Sequence, residues 1–250
     1  MVRPSEVRIS ATVSPGYAHL SVSGTLDSST YREVRDSVIK AALDEPTAVI
    51  TEVSSLVVPC DSAWTAFTSA RWHVSTWPDV PVLLVCGHAA GRAAIARSGA
   101  VRYVPVYPDQ ATAQGSVTDL YGVRRRAHAE LFADLTSLRR GRRLVSAWLT
   151  AWDRPAMILT ASTVATIFIE NVLEHTSSRP VLLLEASDRR ITVAVSDTSS
   201  SPAVRHEDAG SGAHTASGLA IAAALSRAWG CSPVAGGKTV WAVLGPENQL

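Results

Sequence analysis

Charge is scarce in this 250-residue chain. Asp, Glu, Lys and Arg make up 18% of it, and 23 basic against 22 acidic side chains leave a net charge of +1. That balance excludes a global pull toward nucleic acid or a membrane surface, so partner choice must come from local features. Cysteine is sparse too. Cys60, Cys86 and Cys231 are far apart, odd in number and without paired metal-ligand spacing, which speaks against a disulfide framework or zinc site and for reduced thiols. The opening MVRPSEVRIS lacks an apolar signal core, and no run approaches the roughly 20 apolar residues of a membrane span. The expected location is therefore cytoplasmic. What is present is 46% hydrophobic residue content, an ordinary globular composition, at a length that suits two domains of usual size.

The first half alternates strand and helix patterns. EVRISATV and YAHLSVSG flank Ser14-Pro15-Gly16 and alternate apolar with polar residues, as a half-buried hairpin does. Thr30 and Glu33 have capping-box spacing, and Tyr31, Val34, Val38 and Ala41 follow at helical period. AVITEV reads as a central strand and Ala63 to Val74 as a helix after the loop VVPCDS. VPVLLVC reads as a buried strand, AAGRAAIARSG as a helix closed by Gly99, and VRYVPVY as a last strand. These elements make a small α/β domain over 1–112.

The order of these elements, the step Gly24-Thr25-Leu26-Asp27, the loop PCDSAW and the stretch SGAVRYVPVYPD resemble the STAS family of anti-anti-sigma factors. The resemblance implies a phosphoacceptor at the start of the helix after the central strand, which falls on Ser62. The surrounding motif departs from the family pattern, with Cys60 in place of aspartate, Asp61 in place of the first serine and Ala63 in place of glycine. Phosphate at a helix start would be stabilised by free N–H groups and would add nearly two negative charges. The competing expectation is that Asp61 or Ser62 is only an N-cap.

Residues 113–135 show no strand pattern and read as a partly helical linker. Arg124 to Arg126 together with Arg139, Arg140, Arg142 and Arg143 form a local basic cluster, but without interleaved aromatics a solvated helix face is favoured over nucleic-acid binding. Leu144, Val145, Trp148, Leu149 and Trp152 then give an apolar helical face that Pro155 stops.

The second half opens with a long helix over about 156–176, containing ATIFIENVLEHTSS. In it Glu170, Asn171, Glu174 and His175 sit amid apolar sequence, with Asn171 and His175 on one side. The strands PVLLLEAS and ITVAVSD meet at a polar turn, Asp188-Arg189-Arg190. The second runs into Asp197, and a lid-like loop of about twenty residues follows. SGLAIAAALSRAWG reads as a helix ending at Gly230, and GGKTVWAVLG as a turn and final strand.

Over 136–246 this order resembles the histidine-kinase-like ATPase fold of anti-sigma-factor serine kinases, an α/β sandwich, most specifically in AAALSRAWGCSPVAGGKTVWAVL. The resemblance implies ATP and Mg2+ as cofactors. Asn171 would hold the metal, Asp197 would accept from the adenine amino group, Thr239 would support that contact, and Gly218 would admit phosphate. It also implies sigma-factor or STAS and anti-sigma proteins as partners, and leaves room for a homodimer. The general-base glutamate of such kinases falls on Ile167, whose alkyl side chain accepts no proton. Glu170 projects about 100° away around the helix. Ser199 stands for a glycine and Ser217 for a basic residue. Three classes stay open: a partner-switching regulator with weak or no ATP use, an active protein-serine kinase acting on Ser62 or another STAS protein, and a degenerate scaffold.

Overall fold

The computed structural model describes residues 5–14, 16–187, 190–199, 218–234 and 236–250. The chain is mixed α/β and divides into two compact units, Met1–Gly122 and Val123–Leu250.

In the first unit, strands β1 (Val7–Ser14) and β2 (Tyr17–Thr25) form the antiparallel hairpin that the alternating pattern predicts, in register from Val7 opposite Gly24 to Ser14 opposite Tyr17. Gly24 is required there: its φ is +104°, and a Cβ on it would lie 2.2 Å from the Glu6 carbonyl oxygen. Helix α1 (Tyr31–Leu43) carries the chain to β3 (Ala48–Glu52), parallel to β2, and the short β4 (Leu56–Val57) also pairs with β2. A 3₁₀ turn at Asp61–Trp64 runs into α2 (Thr65–His73). Next come β5 (Val82–Val85), α3 (Ala89–Arg97), β6 (Val106–Tyr107) and α4 (Gln110–Tyr121). The sheet order is β1-β2-β3-β5-β6.

The central strands are apolar on both sides because both sides are covered. Val49, Val82 and Leu84 join Val38 of α1, Phe67 of α2 and Ile95 of α3 in one core. Their neighbours Ala48, Ile50, Leu83 and Val85 face the other way, onto Ala113 and Val117 of α4. Burying a side chain such as Phe67 or Leu84 contributes about 1.5–3 kcal/mol.

Three expectations change in this unit. Thr30 takes the N-cap position of α1, but the capping box with Glu33 does not form. The Thr30 hydroxyl donates to the Thr25 carbonyl at 2.8 Å and accepts from the Asp27 N–H at 3.0 Å, so it is engaged by the preceding turn. Of the strand expected in VRYVPVY, only Val106–Tyr107 pairs, because Gly99, at φ +79°, starts a 3₁₀ turn over Ala100–Arg102. The expected boundary at 112 falls inside α4.

In the second unit the supposed linker contains a strand. β7 (Arg125–Glu130) pairs with β8 (Val181–Ser187) along its whole length. Its sequence RRAHAE hides it, since an edge strand needs little apolar content. Helix α5 (Thr136–Ala151) follows, then a 3₁₀ turn at Pro155–Met157 and α6 (Ile158–His175). The chain continues through β8, β9 (Arg190–Asp197), α7 (Gly218–Ala224), β10 (Ala228–Val234) and β11 (Gly237–Leu244). The antiparallel order is β10-β11-β9-β8-β7. The helix expected to reach Gly230 ends at Ala224 instead. From Ala228 the chain pairs with β11, and AWGCSPV, interrupted by Gly230 and Pro233, carried no alternating strand pattern.

Helices α5, α6 and α7 cover one face of this sheet. Val145, Val164 and Phe168 pack with Leu184, Val193, Val195 and Ala242. Helix α5 approaches α6 closely at Gly141, where a Cβ would lie 2.5 Å from Ile169 Cδ1. The segment Pro155–His175 has a mean hydropathy of 1.6 and, by length and composition, could cross a membrane, which corrects the expectation that no such stretch exists. Interspersed threonines and serines concealed it. Over half of it, 56%, is buried inside this unit, as in a core helix.

Candidate functional site

Ser62 lies in the 3₁₀ turn that opens α2 and is exposed. Neither Asp61 nor Ser62 is the N-cap. Cys60 holds that position in an extended conformation without a side-chain cap bond, and its carbonyl accepts from Ala63 N–H at 2.9 Å. The Ser62 hydroxyl is 3.2 Å from Cys60 Sγ. Hydrogen bonds from the Ser62 hydroxyl and then from its N–H hold the Cys60 thiol below its ordinary pKa. Asp61 is 3.7 Å from Arg97 in an exposed ion pair. The site thus offers an exposed hydroxyl beside a thiol and a weakly paired carboxylate, on a helix whose opposite side, at Ala63, Phe67 and Ala70, is buried.

In the second unit, strand register decides which expected site residues meet. β9 and β11 pair antiparallel with Asp197 opposite Lys238 and Ser196 opposite Thr239. Side chains alternate along a strand, so these pairs point to opposite faces. Asp197 and Lys238 share the helix-covered face with Val195 and Val240, whereas Thr239 turns away and meets the Ser196 hydroxyl at 2.7 Å. Thr239 therefore lies on the opposite face from Asp197, and Lys238 is the residue that faces the carboxylate.

That contact is buried. Lys238 Nζ donates to Asp197 Oδ1 at 3.0 Å and lies 3.0 Å from Oδ2 as well. The Asp197 side chain is 0% exposed and that of Lys238 7%. Oδ1 also accepts from the Ser199 N–H at 2.7 Å, while Oδ2 has no directed hydrogen bond. Gly237 sets the approach. A Cβ there would fall 1.8 Å from the Asp197 carbonyl oxygen, so only glycine lets β11 come this near β9 just before Lys238. A charged residue opening an otherwise apolar strand was the sequence signal for Lys238.

On α6, Ile167 is buried in the core and Asn171 lies one turn further along the same side, half-buried, its side chain without a hydrogen-bond partner among the described residues. Gly218 starts α7 against Ile167, whose Cγ2 would be 3.1 Å from a Cβ at that glycine. The structure therefore brings Gly218 to Ile167. Helix α7 spans seven residues, too short to form an anion site by its N-terminus alone. Glu174 and His175 are exposed, and Glu170 is half-buried. Among the described residues no three His, Cys, Asp or Glu side chains gather as a metal site. Most of the lid-like loop, residues 200–217 with Ser217 among them, lies outside the described residues, as do Pro15 and the turn residues Asp188 and Arg189.

The expected basic cluster separates into two groups. Arg124 and Arg126 fork onto Glu185, with closest distances of 2.6 Å to Oε1 and 2.6 Å to Oε2. This buried carboxylate uses both arginines as structural partners. Arg139, Arg140, Arg142 and Arg143 are exposed on α5, and the Arg140 guanidinium lies 5.5 Å over the Phe132 ring. This is the solvated helix face that the sequence favoured.

No family model matches the chain, and no curated protein matches it. Among solved structures, the chain is similar to an anti-sigma factor antagonist from Mycobacterium paratuberculosis, with a TM-score of 0.40 and 19% identity, over 46% of this chain and 96% of that one. It is also similar to the RsbU and RsbW domains of a protein from Mycobacterium tuberculosis, with a TM-score of 0.36 and 21% identity, over 48% of this chain and 32% of that one.

Proposed function

We propose that the chain is a regulator of the sigma-factor partner-switching kind, whose first unit presents a switch surface around Ser62 and whose second unit binds partners without transferring phosphate. The observation that carries this reading is the side chain at position 167. Attack by a serine hydroxyl on a phosphoryl group needs a nearby acceptor for its proton. Ile167 has none, is buried in the core, and closes against Gly218. No carboxylate replaces it at that position, since Glu170 projects to another side of the helix. In the first unit, the exposed Ser62 hydroxyl supports a role as the group whose charge state alters partner binding, because a phosphate there would change the surface without entering a core.

The test is a transfer assay on the full chain with terminally labelled ATP and Mg2+, followed by mass spectrometry of Ser62 and capture of sigma-factor, STAS or anti-sigma partners. Capture without transfer, weakened by Ser62→Glu, supports the reading. Phosphate transfer that disappears in Asn171→Ala overturns it in favour of an active kinase.

A further inference from the structure

We infer that the second unit does not read adenine, because Lys238 occupies the carboxylate that such recognition would use. The inference rests on the reading of Asp197 as the base-facing acid, and it concerns what that acid can accept. Selecting adenine requires an acceptor lone pair directed at the exocyclic amino group. Oδ1 of Asp197 already receives both the Lys238 ammonium and the Ser199 N–H, at 3.0 and 2.7 Å. Oδ2 keeps an undirected lone pair, yet it is buried and lies 3.0 Å from the same ammonium. An amino group brought to Oδ2 would be a second donor beside a buried cation, on a side chain with no exposed surface. To make room, Lys238 would have to leave a carboxylate that is its only ionic partner among the described residues, and would then be a buried charge without compensation.

The backbone reinforces the arrangement. Register places Lys238 directly opposite Asp197, and Gly237 brings the two strands together at that point, so the lysine is delivered by β11 itself and not by a mobile loop. The residue expected to assist adenine, Thr239, is committed to Ser196 on the other face. Three separate features, namely the occupied Oδ1, the reversed Thr239 and the glycine-set strand approach, give the same result. The adenine base of the ATP implied by the resemblance does not fit the residues present, and partner binding by this unit is independent of that base.

Equilibrium dialysis of the full chain against Mg-ATP, Mg-GTP and Mg-tripolyphosphate tests this without any variant. The expected result is that ATP binds no more than about threefold tighter than GTP. Lys238→Met, checked for folding by circular dichroism, then shows whether an Asp197 freed of its lysine gains a preference for ATP over GTP. An ATP preference over GTP of about tenfold or more in the wild-type chain overturns the inference, whatever the variant does. Such a preference without phosphate transfer sinks this inference alone and leaves the regulatory role intact, whereas such a preference together with transfer sinks both.

Discussion

Removing either half of the Asp197–Lys238 pair should cost far more stability than removing both. At 3.0 Å and an effective dielectric of about 20, two unit charges attract by about 5 kcal/mol. Each ion has also lost hydration worth several kcal/mol, so the intact pair contributes little net stability. Lys238→Met leaves a fully buried carboxylate with only the Ser199 N–H, and is expected to cost about 3–5 kcal/mol. Asp197→Asn keeps an acceptor for that N–H but strands a buried ammonium, for a cost of about 2–4 kcal/mol. The double variant Asp197→Asn/Lys238→Met carries neither charge and should fall within about 1.5 kcal/mol of wild type, giving a coupling of at least about 3 kcal/mol. Hydrogen exchange at the amides of β9 and β11, combined with urea unfolding of the full chain, measures all four corners of the cycle. Additivity within about 0.5 kcal/mol would refute the claim that the two groups share one desolvated contact.

Other perturbations address separate parts of the chain. Gly24→Ala places a Cβ 2.2 Å from the Glu6 carbonyl oxygen at φ +104°, and should destabilise by at least about 2 kcal/mol in chemical denaturation. Glu185→Ala leaves the partly buried Arg124 and Arg126 without their shared carboxylate, and the same measurement should show a loss of about 3 kcal/mol. Hydrogen bonds to Asp27, first from the Ser5 hydroxyl and then from the hydroxyl and N–H of Ser29, lower its pKa from 3.8 to about 2. Because the folded value is depressed, the stabilisation from this group is present above about pH 4 and is lost as pH falls through about 2. An NMR titration midpoint near the ordinary carboxylate value would contradict that network. Ser62→Ala removes only the contact to Cys60 Sγ from an exposed turn and should leave stability within about 0.5 kcal/mol, so any loss of partner capture in that variant reports on the surface itself.

The elements most legible in the sequence are those whose environment imposes one period over several residues. VPVLLVC and AVITEV read as strands because both of their faces are covered, and α6 reads as a helix because its apolar stripe spans the sheet. β7 and β10 are edge strands, so RRAHAE and AWGCSPV carry little of that pattern. In the candidate site, Ile167, Asn171 and Asp197 were singled out by the resemblance to the kinase-like fold, not by composition. The partner of Asp197 was not, because Lys238 is 41 residues away in the chain and the two meet only through the register of β9 with β11. Thr239 is one residue from Lys238, and in a strand a step of one residue exchanges one face for the other.

The two strands that the sequence concealed also govern how this unit can associate. β10 and β7 are the outer strands of the five-stranded sheet, and an outer strand offers unpaired N–H and C=O groups to any neighbouring chain. β10 carries Pro233, which has no N–H to give, and β7 lines its rim with Arg125, Arg126, His128 and Glu130. Growth of the sheet from one copy into the next is thereby discouraged at both ends.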